Sequence, residues 1–138
     1  MQTADAVRAM WSRVVRWYRG WPVLCRWIPP LAWMVLIFFV SSQPDLPHAP
    51  GPIWDLLLKK AGHAVEYGVL YLLLWQALDP RRPFIALAWM LTVLYAVSDE
   101  FHQAFVPGRN GRWMDVVIDS VGASVAALAV WASVRRSR

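Results

Sequence analysis

Residues 99–119 read DEFHQAFVPGRNGRWMDVVID, and this stretch decides the fold. Asp99, Glu100, His102 and Gln103 close one apolar run, and Asp115 and Asp119 open the next. Between them Pro107, Gly108, Asn110 and Gly111 break any helix. An apolar stretch, a polar turn and a second apolar stretch describe a helical hairpin whose ionisable groups gather at its closed end. Ionisable groups are costly inside a bilayer and by default mark a functional site there.

Working outward, the run before this turn covers about 83–104, with Pro83 at a tolerated first-turn position. The turn Asp79-Pro80-Arg81-Arg82 joins it to a run over about 57–78. The first turns of that run carry Lys59, Lys60, His63, Glu66 and Tyr67, and the remainder is apolar. On the other side, a run over about 115–134 includes Gly122, Ala123, Ser124, Ala126 and Ala127, small residues that permit close helix packing. Residues 43–55 (QPDLPHAPGPIWD) hold four prolines and read as a loop. Before them lies an apolar run, 30–42, short for a hydrocarbon core that needs roughly 20 helical residues. Starting it near Pro22 supplies the length, with Arg26 snorkelling to the interface and Pro29 and Pro30 either kinking the helix or marking its start.

Residues 5–19 place Val7, Met10, Trp11, Val14, Val15 and Tyr18 on one helical face and Arg8, Arg13, Arg16 and Arg19 on the other. That pattern suits a helix lying in the membrane interface; a helix packed on a partner protein is the plainer alternative. The expected architecture is therefore all-α: an integral membrane four-helix bundle (spans about 22–42, 57–78, 83–104 and 115–134) preceded by an amphipathic interfacial helix over 1–21.

Composition agrees. The 138 residues allow one domain, 58% are hydrophobic, and ten are Trp, a residue enriched at membrane interfaces. Cys25 is the sole cysteine, so no internal disulfide holds the fold. The net charge of +5 does not indicate nucleic acid, because the arginines lie between apolar runs and form no basic stripe on a soluble domain. No small-residue cleavage site follows the first apolar run, which is expected to remain as an anchor. One set of helix ends holds Arg8, Arg13, Arg16, Arg19, Arg26, Arg81, Arg82, Arg135, Arg136 and Arg138; the other holds Lys59, Lys60, Arg109 and Arg112. Basic residues favour the cytoplasmic side, which predicts both termini inside and the polar cluster facing outward.

Within the cluster, His63 and Glu66 are neighbours on one helical face, and so are Asp99 and Gln103, and Asp115 and Asp119. Glu100 points about 100° away from Asp99, toward another helix. Three chemistries suit such a set. His63, His102, Glu66 and Glu100 are candidates for acid–base work. His63, Glu66, Asp99, His102 and Asp119 are donor types for a divalent metal, although no recognised metal-site spacing is present and no metal is assigned. Arg109, Arg112, Lys59 and Lys60 can hold an anionic head group or phosphate. Lys59 and Arg112 read as solvated at the rim, and Asp45, His48 and Asp55 as exposed in the proline loop. A nucleophilic Ser41 or Ser42 would need a base, and the end of the first helix could approach His63; no G-x-S-x-G elbow is present. Against all of these stands a structural reading in which the charges only pair and hold the bundle.

The motifs S-S-Q-P (Ser41–Pro44), K-x-x-H-x-x-E-Y (Lys60–Tyr67), D-E-x-H-Q-x-F-V-P-G-R (Asp99–Arg109) and D-V-x-I-D-x-x-G-A (Asp115–Ala123) resemble the VanZ-like family of bacterial membrane proteins over about 37–127. The resemblance implies a small polytopic protein of the bacterial inner membrane. The family's founding member is associated with teicoplanin resistance, which implies a role at the cell envelope. Carried over residue by residue, it points to His63, Glu66, Asp99, Glu100, Gln103, Arg109, Asp115 and Asp119, and it brings no established cofactor. The resulting expectation is an outward polar pocket that binds or processes an amphiphile: a lipid head group, a cell-wall precursor or a lipoglycopeptide. Lys60, Tyr67, Asp99, Gln103, Arg109, Asp115 and Asp119 are its candidate binding residues, and His63, Glu66 and Glu100 its candidate catalytic ones. A membrane hydrolase or transferase and a structural or partner-binding protein are the competing readings. A proton-linked transporter fits less well, since the inner halves of the spans carry almost no polar side chains.

Overall fold

The computed structural model describes residues 13, 20, 22–44, 50–79, 84–109 and 111–136. The interfacial helix expected over 1–21 falls outside the described residues apart from Arg13 and Gly20. Among the described residues the chain is all-helical, with no strand. A single turn, α1 (Val23–Arg26), leads into four longer helices: α2 (Ile28–Ser41), α3 (Pro52–Leu78), α4 (Ile85–Gln103) and α5 (Trp113–Arg136).

The helix starts follow from local chemistry. Pro29 and Pro30 occupy the first turn of α2 and mark its start, because early-turn prolines lack only N–H groups that the helix would leave unbonded anyway. The same reasoning corrects the loop expected over 43–55. Gly51, at φ +87°, turns the chain, and α3 already begins at Pro52. Asp55 accordingly sits in the first turn of α3, half-buried and paired with Lys59 at 2.7 Å, where the sequence reading left both exposed or solvated.

Val23–Ser41 and Trp113–Arg136 are each long and apolar enough to cross a membrane. The polar turns carried by α3 and α4 lower their hydropathy, yet α3, at 27 residues, is about 40 Å long against a core of about 30 Å. The surface supports the same environment: Leu94, Val125 and Leu128 are 62–63% exposed and Phe39 is 64% exposed. So much outward-facing apolar surface suits lipid and not water.

The core is small and centred on α3. Tyr67, Leu70, Tyr71, Leu74 and Trp75 pack against Ile37 of α2, Ala88 and Ala96 of α4, and Ala123 and Val130 of α5. α3 and α5 share the most extensive contact; α2 lies more lightly on α3 and α4. The α3–α5 crossing is glycine-dependent. A Cβ on Gly122 would collide with the backbone of Ala64, and one on Gly68 would lie 3.3 Å from the Gly122 carbonyl oxygen. Such small-residue contacts let helix backbones approach closely. Side-chain bonds satisfy polar groups between helices: Trp33 Nε1–H donates to the Glu66 carbonyl (3.0 Å), Tyr95 O–H to the Met34 carbonyl (2.6 Å) and Trp89 Nε1–H to Ser124 Oγ (3.0 Å).

Candidate functional site

The ends of α2 and α4 meet the beginnings of α3 and α5, so their polar turns converge. Two sub-clusters result. In the first, Asp99 faces α2, where its Oδ2 accepts from Ser41 Oγ–H (2.8 Å) and from Gln103 Nε2–H (3.0 Å). All three residues are buried. Next to them Ser42 Oγ lies 3.0 Å from His102 Nε2 while donating to the Phe38 carbonyl, and the His102 ring stacks on Phe38. The serines therefore meet Asp99 and His102, not His63 as the sequence reading allowed. Ser42 bonds back to its own helix, a common arrangement for a hydroxyl near a helix end.

In the second sub-cluster Glu100 points away from Asp99, as helical geometry requires. Its Oε2 accepts the Arg112 backbone N–H at 2.7 Å. Lys60 of α3 pairs with Asp115 of α5. His63 Nδ1 lies 3.2 Å from Asp119 Oδ1 without hydrogen-bond alignment. The α3–α5 crossing explains these encounters, since Ala64 and Gly122 touch one residue after His63 and three after Asp119. His63, Glu100 and Asp119 each offer a ligand atom within 4.8 Å of the others. Glu66, Asp99 and His102, the other donors expected from sequence, fall outside this group.

The loop between α4 and α5 closes over the same end. Gly108 adopts φ +82°, and a Cβ there would press to 3.1 Å from the Pro44 carbonyl oxygen. This left-handed turn abuts the segment after α2 and directs Arg109 back toward the bundle. A cavity of about 490 Å³ opens beside it, with Lys60, His63, Glu66, Gln103, Arg109 and Asp115 in its wall. Six of the ten sequence-derived site residues thus line one space. The other four, Tyr67, Asp99, Glu100 and Asp119, are packed among the helices, Tyr67 in the core near Tyr95. Ser41, Asp55, Lys59 and Arg112 also reach the wall. Asp55 was assigned to the loop because the proline density concealed the true start of α3, whereas Lys59, named from the sequence as a candidate cation but read as solvated at the rim, stands in the wall beside it.

Arg109 is the distinctive group. One Nη contacts the Val40 carbonyl at 3.5 Å, the limit of a hydrogen bond, and its buried Nε has no partner among the described residues. Lys60 and Lys59, by contrast, are matched by Asp115 and Asp55. A guanidinium at a cavity wall can donate charge-assisted hydrogen bonds to an anion.

Comparison with curated proteins and with solved structures returns no match. Residues 26–134 match the VanZ/LLP1 family, a range that contains α2, α3, α4, most of α5 and the whole cavity wall. The chain therefore belongs to the VanZ/LLP1 family and is a VanZ-like membrane protein.

Proposed function

We propose that the chain spans the bacterial inner membrane four times, with both termini cytoplasmic, and that its cavity faces outward to hold the anionic head group of an amphiphile. The ligand classes are membrane lipid head groups, lipid-linked cell-wall precursors and lipoglycopeptides such as teicoplanin, which would connect the protein to glycopeptide resistance. The observation that carries this reading is Arg109, half-buried at the wall of the cavity with an unsatisfied guanidinium donor. Orientation rests on the arginines at the opposite helix ends, which favour the cytoplasmic side.

Binding tests the first part. Purified protein is titrated with a short-chain phosphatidylglycerol and with teicoplanin, followed by tryptophan fluorescence. Arg109→Ala is expected to weaken binding of the ligand that fits about tenfold or more, the value of a charge-assisted hydrogen bond, with partial retention in Arg109→Lys. Absence of binding by either probe, or equal affinity in Arg109→Ala, removes the basis of the reading.

Sidedness tests the second part. In a Cys25→Ser background, a thiol placed at Gly62 projects into open space at the cavity wall. A membrane-impermeant maleimide added to spheroplasts is expected to label Gly62→Cys at once, and to label Arg136→Cys only after permeabilisation. The reverse pattern would invert the topology.

A further inference from the structure

The geometry points to a divalent-metal site formed by His63, Glu100 and Asp119, packed among the helices beside the cavity, whose wall His63 shares. One residue comes from each of α3, α4 and α5, and their ligand atoms lie within 4.8 Å of one another. Asp119 is only 1% exposed, and neither of its carboxylate oxygens has a hydrogen-bond partner among the described residues. Glu100 is 5% exposed, and its Oε1 is equally unsatisfied, as is His63 Nδ1. Buried polar atoms almost always find a partner, yet Asp119 Oδ2 and Glu100 Oε1 have none among the described residues, and His63 Nδ1 and Asp119 Oδ1 have only each other at 3.2 Å, so three converging side chains call for one common group between them.

Charge decides what that group is. Two buried carboxylates face one imidazole, and the nearest lysine, Lys60, already serves Asp115. A protonated His63 paired with Asp119 would still leave the inner oxygen of Glu100 without a donor. A divalent cation neutralises both carboxylates and takes neutral imidazole as its third ligand. One nitrogen and two carboxylate oxygens suit zinc or manganese better than calcium, which prefers six or more oxygens. Ligands of a tetrahedral zinc lie roughly 3.4 Å apart for bonds of about 2.1 Å, so small side-chain rotations would close the set. Three protein ligands leave a coordination position open, and His63 belongs to both the triad and the cavity wall. The Arg112 N–H bond to Glu100 Oε2 fixes the third ligand from behind. The site stands independently of the head-group reading, since its test uses the metal alone.

Tag-free protein in detergent is stripped with chelator, then titrated separately with zinc and manganese, reading bound metal by mass spectrometry and melting temperature by scanning fluorimetry. The expected result is one equivalent bound per chain for at least one of the two ions, with Tm raised by about 5 °C at saturation. Asp119→Asn and His63→Gln, checked for folding by circular dichroism, are expected to lose affinity at least thirtyfold, while His102→Gln, outside the triad, binds as wild type does. Less than a tenth of an equivalent of either ion in the wild-type protein overturns the site. So do folded triad variants that bind metal as tightly as the wild type. Should both variants fail to fold, the wild-type titration decides alone.

Discussion

Gly122→Val is expected to cause the largest loss of folded protein of any single substitution at the α3–α5 crossing. A side chain at this position has no space, because its first carbon already overlaps the Ala64 carbonyl, which is backbone and cannot rotate away. Overpacking a close-packed interface costs about 1–3 kcal/mol and more when backbone must move, so about 3 kcal/mol is the expected scale. The consequence reaches the site directly. Separating α5 from α3 pulls Asp119 from His63 and Asp115 from Lys60, so ligand binding and stability should fall together. Gly62→Ala provides the contrast: nothing lies within 4 Å of its added carbon, and alanine in place of a helical glycine should be neutral or favourable by up to about 1 kcal/mol. Unfolding by sodium dodecyl sulfate in mixed micelles, followed by circular dichroism, compares the two. Equal stability of Gly122→Val and wild type would mean that the helices do not cross at this point.

The second large effect is expected at Asp99. Its carboxylate holds Ser41 of α2 and Gln103 of its own helix, and its removal takes the shared acceptor from two donors on buried residues. Interhelical polar contacts in membranes are worth about 0.6–2 kcal/mol each, and stranding buried donors adds to the loss. Asp99→Ala should therefore cost about 2–3 kcal/mol. Because α2 rests only lightly on the rest of the bundle, the damage should appear as detachment of α2: faster cleavage by protease in the segment after Ser41, with the α3–α5 pairing retained. Asp99→Asn, which keeps an acceptor oxygen for Ser41, should recover part of the loss. If Asp99→Ala leaves the protease pattern unchanged, the Ser41–Asp99–Gln103 network does not anchor that helix.

These two residues also show how far the sequence could be read. The convergence of polar turns was legible because it depends only on alternating helix direction and on spacings of three and four residues. Asp99 and Gln103 share a bond for that reason, and Glu100 points elsewhere for the same reason. Pairings across helices were not legible. His63 has Glu66 as its neighbour in sequence, yet its close contact is Asp119, because the depth of the α3–α5 crossing is fixed by Gly122 against Ala64. Gly122 reads from the sequence as a small residue suited to close packing, but no periodicity indicates which backbone it meets. The start of α3 was misplaced because four prolines read as uninterrupted loop, whereas Pro52 is compatible with a helix beginning on it. The reach of Arg109 into the cavity depends on the left-handed turn at Gly108, which the P-G-R run suggested only as a loop.

The proposed head-group site is the cavity walled by α2, α3, α4, α5 and the α4–α5 loop, with Arg109 as its anion-binding group. Electron cryo-microscopy of the protein in nanodiscs containing phosphatidylglycerol, with a bound antibody fragment to provide size, tests this most directly. The expected map shows head-group density within hydrogen-bond distance of the Arg109 guanidinium, inside the space bordered by Lys60, His63 and Glu66. A socket filled by the protein's own side chains, or an Arg109 turned outward to the acyl chains, would contradict it.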